Sequence, residues 1–172
     1  MAFDDIPLPG LDDLTPSQPA PRPSAPVDIT PAARKAFWTK VSRTDSGCWI
    51  WTGAVSSEGY GRITWTMRDK KEKTMSTHRF ALHLAYGPTL PSGMVGDHKC
   101  NTPLCVRVHP DHVRLRSQSD NLAFAVDSGR AAGRRRTVNS ARRRQASLDQ
   151  RALLLGEDHH ATEDDEPALF GL

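Results

Sequence analysis

Apolar positions fall in short, separated sets along the chain, and their spacing predicts the elements. Phe37 and Val41 stand four apart within residues 33–42 (ARKAFWTKVS), which suits a short helix. Trp49 and Trp51, then Ile63 and Trp65, are β-formers with alternating partners. Gly53, Gly59 and Gly61 lie between them, so the two runs read as an antiparallel pair joined through a turn region, 53–61. Residues 67–75 are charged and read as the exposed loop of that pair. Residues 77–86 (THRFALHLAY) follow Ser76 as N-cap, place Phe80 and Leu84 one turn apart, and stop at Gly87-Pro88, which marks both ends of a helix. PSGMVGDHKC turns into a short strand, and residues 112–115 (HVRL) form the return strand. SQSDNLAFAV then starts a helix, with Ser119 or Asp120 as cap and Leu122, Phe124 and Val126 available for packing. No internal repeat is visible.

The pattern fades at both ends. Residues 1–32 hold most of the prolines and little apolar periodicity, and read as a disordered acidic, Pro-rich segment. A domain is expected over 33–128, followed by an Arg-rich and then acidic tail over 129–172. Within that tail residues 140–155 are good helix formers, which could order on DNA. The acidic–hydrophobic ends, MAFDDIPLPGLDDL and EPALFGL, could dock a protein partner, although such segments more often only solubilise.

Composition sharpens this. Hydrophobic residues are 37% of the 172 and charged residues 25%, which is lean for a fully packed globule. Either part of the chain is unfolded or something besides burial holds the fold. The net charge of +3 hides a strong asymmetry. Residues 34–128 carry 14 Lys or Arg against eight acids, and residues 129–151 carry eight Arg against one Asp. Residues 152–172 carry six acids and no Lys or Arg. A basic middle between acidic ends suits a polyanion, with nucleic acid the common one. No run approaches the ~20 apolar residues that span a bilayer, and the acidic N-terminus is unlike a signal peptide. A cytoplasmic protein without a membrane partner is expected, in a bacterial or phage-infected cell. Three cysteines in such a chain point to metal or free thiols rather than disulfides.

Cys100 and Cys105, in CNTPLC, are followed by His109 and His112. Thiolates and an imidazole in a short window are what zinc prefers, and a structural site needs four ligands. Cys48 is the remaining cysteine and closes a Cys3His site if the early strands pack on the later knuckle. Such a clip would stabilise a small core. Asp97-His98 precedes the knuckle and Asn121 follows it at a helix start, in the order strand, loop, strand, helix. A neutral His can take a proton from water near pH 7. A hard cation such as Mg2+ needs oxygen ligands, which Asn121 and Asp97 offer. Arg62 could clamp a phosphate.

Taken together, SGCWIWTG, GYGRI, HRFALHLAYGP, DHKCNTPLCVRVHPDHV and SQSDN resemble the HNH (ββα-metal, His-Me finger) endonucleases. The likeness lies in particular with the zinc-bound His-Cys box branch of homing endonucleases and with phage-encoded relatives. It covers residues 35–125, and it implies an α+β fold with a ββα-metal core, a preceding antiparallel β-pair and one structural zinc. It implies that His98 is the general base and that Asn121, with Asp97 less firmly, holds a catalytic Mg2+ or other divalent cation. Cys48, Cys100, Cys105 and one histidine become the zinc ligands. Aligning PDHV with the family's P-x-H-L selects His112, with His109 as the alternative on a two-residue insert. Arg62 falls where a phosphate-contacting arginine is expected. His78 is expected to make a structural hydrogen bond across the core, and His83 to lie on a helix face. Arg68, Lys70, Lys71, Lys73, Arg79, Arg114 and Arg116 are candidate contacts to double-stranded DNA. So are the clusters Arg134, Arg135, Arg136 and Arg142, Arg143, Arg144, which could grip flanking DNA or reach a minor groove, and the early β-pair could lie in the major groove. Hydrolysis of DNA by a homing or phage nuclease is the expected activity, and a homodimer is left open. A non-catalytic zinc-dependent DNA-binding protein with the same fold is the rival, which would need neither His98 nor Asn121.

Overall fold

The protein is described by a computed structural model over residues 25–127 and 136–156. Helix α1, Pro31–Trp38, opens on Thr30, whose hydroxyl accepts the Ala33 N–H at 3.2 Å, and on a proline that has no N–H to satisfy. It ends short of Val41, which enters strand β1, Val41–Arg43. Strand β1 turns at Gly47 (φ 77°) and pairs antiparallel with β2, Trp49–Trp51, through Val41↔Trp51 and Arg43↔Trp49. Strand β3, Arg62–Thr66, pairs antiparallel with β4, Glu72–Ser76. The expected pairing of residues 49–51 with 63–65 is therefore not made, and the two runs belong to separate two-stranded sheets. The segment 67–75 is a turn only in its first half, where the Met67 N–H donates to Lys71 O at 2.8 Å, and its second half is strand β4. Glu72 and Thr74 face outward there and mask the strand pattern.

Helix α2, Thr77–Tyr86, starts after Ser76 as expected, but the Ser76 hydroxyl makes no capping bond. Strands β5, Met94–His98, and β6, Val113–Ser117, pair antiparallel, with Asp97↔Arg114 and His98↔Val113. Helix α3, Gln118–Asp127, follows β6 directly, completing the ββα order. Its cap is Ser117, earlier than expected, whose Oγ accepts the Asp120 N–H at 3.1 Å. Leu122 and Val126, expected to pack, are exposed. Helix α4, Arg136–Gly156, closes the described chain.

The core is aromatic. Phe37 stacks on Trp51 and Phe80 at 5.5 and 5.0 Å, and Trp65 meets Phe80 edge-on at 5.1 Å. Val27 is buried, its N–H donates to Pro88 O at 2.8 Å, and the Trp65 indole N–H donates to Asp28 O at 2.8 Å. Residues expected in the N-terminal segment are thus part of the packed body, held by contacts that no local pattern reveals. A second cluster, Leu82, Leu90 and Val113, underlies β5 and β6. The architecture is α+β, and no described helix is long and apolar enough to cross a membrane.

Candidate active site and metal centre

Two backbone hydrogen bonds, which form one antiparallel bridge, sew the knuckle onto β2. Trp51 N–H donates to Leu104 O at 2.9 Å, Val106 N–H donates to Trp49 O at 2.8 Å, and Ile50 bridges Cys105. Asn101 takes φ 56°, a left-handed turn that Asn tolerates. These constraints bring Cys48, ahead of β2, onto Cys100, Cys105 and His112. The four ligand atoms lie within 4.8 Å of one another. The His112 Nδ1 is 3.5 Å from Cys48 Sγ and 3.8 Å from Cys105 Sγ. A tetrahedral zinc with ordinary bond lengths sets sulfur to nitrogen at about 3.6 Å and sulfur to sulfur at about 3.8 Å. The donor set fits zinc, and the two imidazole-to-sulfur distances lie close to that spacing. The Cys105 thiol hydrogen-bonds to Cys100 and holds the Cys100 thiol down at about 4, while that same sharing and burial push Cys105 upward. A ready thiolate suits a metal ligand. His109 is not in the cluster, and its Nδ1 accepts the Asp111 N–H at 3.2 Å. The Arg107 Nη1 group, which the sequence did not single out, donates to Gly47 O at 2.8 Å and braces the loop before Cys48.

Beside the knuckle lies a cleft of about 530 Å3, lined by Tyr60, Asp97, His98, Asn101, Asn121 and Arg143 among others. His98 ends β5, and its Nε2–H donates to the Cys105 carbonyl at 3.0 Å. That bond assigns the ring proton to Nε2 and leaves the lone pair on Nδ1. Burial pushes the imidazole below its usual range, so it is neutral at pH 7. Tyr60 stacks on His98 at 5.8 Å, and His78 meets it edge-on at 4.7 Å. Asp97 is buried; its Oδ2 accepts from Arg114 Nε and Nη2 at 3.2 and 3.1 Å, with Arg116 at 3.7 Å. Asn121 lines the same cleft from α3.

Arg62 lies in an adjoining groove of about 300 Å3 with Glu58, Ser76 and His78, and the two hollows share Tyr60 and Gly96. Gly96 is required there, since a Cβ would meet His78 Cδ2 at 2.8 Å and Leu82 Cδ1 at 3.0 Å. His78 bonds locally to Ser76 Oγ at 3.3 Å rather than across the core, and its buried Nδ1 has no partner among the described residues. His83 is buried, and its Nδ1–H donates to Gly87 O at 3.2 Å, closing α2. Among the expected DNA contacts, Arg114 and Arg116 are engaged by Asp97, Arg68 pairs with Asp28 at 3.6 Å and Lys71 with Asp69 at 3.2 Å. Arg79 is exposed on the first turn of α2, Lys70 sits in the β3–β4 turn, and Lys73 is on β4. Arg134 and Arg135 lie outside the described residues, and Arg136 begins α4. Tyr60 was missed as a site residue, and Arg143 was expected to contact DNA but not to line the cleft. The only sequence signal was their type, an aromatic in a glycine-rich turn and an arginine in a cluster, and both reach the cleft from far along the chain.

Residues 76–123 match the model of the HNH endonuclease family. The chain is 30% identical over 98 residues to Protein 2.8 of Escherichia phage T7, covering 57% of this chain and 63% of that protein. It is 38% identical over 85 residues to Protein 7.7 of the same phage, covering 49% and 59%. The matches thus span 63% and 59% of the two curated relatives, short of two thirds of either. No solved structure matches the chain. The matched segment holds Asp97, His98, Cys100, Cys105, His112 and Asn121, and over it the chain is similar to the HNH endonucleases.

Proposed function

We propose that this protein is a metal-dependent DNA endonuclease, with His98 as the general base and Asn121 as the main ligand of a catalytic divalent cation. The observation that carries the reading is the bond from His98 Nε2–H to the Cys105 carbonyl, in a cleft shared with Asp97 and Asn121. That bond orients the ring and leaves Nδ1 to accept a proton from the attacking water. The oxygen donors of Asn121 and Asp97 suit Mg2+ chemically, and the grip of Arg114 on Asp97 Oδ2 makes Asn121 the more available of the two. When bound, such a cation supplies positive charge to the phosphoryl and leaving oxygens. The Cys3His cluster holds zinc in a structural role and fixes the Cys105 carbonyl under His98. Arg62, in the adjoining groove, takes a neighbouring phosphate. The outward face of β3–β4, with Arg62, Thr64 and Thr74, is the ribbon offered to duplex DNA. The two T7 relatives support a phage-encoded nuclease, of either the homing or another type.

A plasmid assay with Mg2+ tests the reading. Zinc-loaded wild type is expected to turn supercoiled DNA into open-circle or linear form, and His98→Ala at equal zinc content to do so at least about 100-fold more slowly. A folded, zinc-loaded wild type that leaves several DNAs intact would overturn the nuclease. Cutting by His98→Ala at the wild-type rate would overturn the base.

A further inference from the structure

One wall of the His98 cleft comes from outside the ββα unit. Helix α4 reaches it through Arg143, which lines the cleft with His98 and Asn121. The Arg143 Nε–H donates to Glu58 O at 2.6 Å, and the guanidinium lies 5.0 Å over the Tyr60 ring, which itself stacks on His98. Among the described residues no carboxylate pairs with Arg143, and its two amino groups keep their donors. A planar fork held by its Nε and by an aromatic face is already oriented, which is how arginine grips a phosphate.

The helix is docked, not loosely appended. Buried Ser147 donates from Oγ to Gly59 O at 2.8 Å, Arg151 Nη1 donates to Gly53 O at 3.1 Å, and Leu154 packs on the main core. Gly59, at φ +85°, allows the contact, since a Cβ there would meet the Arg143 carbonyl carbon and the Arg144 nitrogen at 2.8 Å. We propose that α4 is a wall of the catalytic cleft and that Arg143 binds a backbone phosphate of the DNA strand lying in it. This rests on DNA being the substrate. It differs from the sequence expectation, in which residues 142–144 grip DNA flanking the site.

The test measures binding apart from cutting. A duplex oligonucleotide is titrated with the full zinc-loaded chain carrying His98→Ala, and anisotropy is followed across a salt series. Adding Arg143→Gln is expected to weaken binding about tenfold and to lower the slope of log affinity against log salt by about 0.9, one phosphate's worth. With His98 restored, Arg143→Gln also slows cleavage. Parent affinity and slope in Arg143→Gln would overturn the proposal. If Arg143→Gln shifts the melting temperature, Arg143→Lys decides. A slope restored to the parent's supports a phosphate contact, and a slope still lowered means that only packing was lost. A parent that binds the duplex but does not cut it once His98 is restored overturns the endonuclease and leaves Arg143 judged by the slope. A parent that binds no duplex overturns both.

Discussion

Cys105 serves two sites through different atoms. Its Sγ belongs to the metal cluster, and its carbonyl takes the His98 ring proton. His78 presses on the same ring and has a cost of its own. Burial holds its imidazole at about 3, well below the usual 6.5, with His98 and Arg79 adding to the effect. Tyr60 and Ser76 are its other close neighbours, and Glu58 and Arg62 line the groove beside it. A folded value below the unfolded one means that the unfolded chain takes up the proton first. The stability that neutral His78 contributes is therefore complete above pH 6.5 and is lost as pH falls from there towards 3, by up to about 1.4 kcal/mol per pH unit. The melting temperature of the zinc-loaded chain is expected to fall more between about pH 7.5 and 5.5 than that of His78→Gln, whose His98 is unchanged. Equal falls in the two proteins would remove this role from His78.

At the scale of elements, Gly61 is where three of them meet. Its carbonyl accepts the Thr77 N–H at 3.0 Å, at the start of α2, and it bridges Val55 just before β3. A Cβ on Gly61 would run into Thr77 Oγ1 and the Trp51 ring. Gly61→Ala should cost about 1–3 kcal/mol through overpacking, read as a lower denaturant midpoint at constant slope. An unchanged midpoint would mean that the junction yields without cost. The same junction explains what the sequence could and could not say. Helix α2 was legible because its apolar period and its Gly-Pro stop are local. The ββα unit was legible because DH, the knuckle and Asn121 recur in a family order. The early strand pairs were not. Strand β2 has three residues, β4 shows a polar outward face, and Val41 sits at helical spacing from Phe37, so the pattern concealed which strand meets which. The three cysteines of the Cys3His cluster were legible from count and spacing, and His112 only through the family resemblance. The places of Tyr60 and Arg143 in the cleft were not legible, because Arg143 meets the Glu58 carbonyl across 85 residues of chain.

At the scale of the whole molecule, the three two-stranded sheets among the described residues do not make a continuous core. The aromatic cluster joins α1, β2, β3 and α2, while the smaller Leu82–Leu90–Val113 cluster sits under β5 and β6. The knuckle belongs to the aromatic cluster, where Cys48, Leu104, Cys105 and Val106 are buried and Cys100 packs against them, while His98 ends β5 and His112 precedes β6. A metal on Cys48, Cys100, Cys105 and His112 would tie the segment before β2 to the ββα unit. Structural zinc in small domains contributes folding free energy directly. Cys100→Ser is thus expected to drop zinc from one to none per chain by elemental analysis, and to lower the melting temperature by at least about 10 °C. DNA cutting should go with it, because the Cys105 carbonyl that orients His98 is held by the same loop. Retention of one zinc in Cys100→Ser would remove Cys100 from the ligand set. Loss of zinc with an unchanged melting temperature would mean that the bonds of Trp51 to Leu104 and of Val106 to Trp49 hold the two halves together without metal.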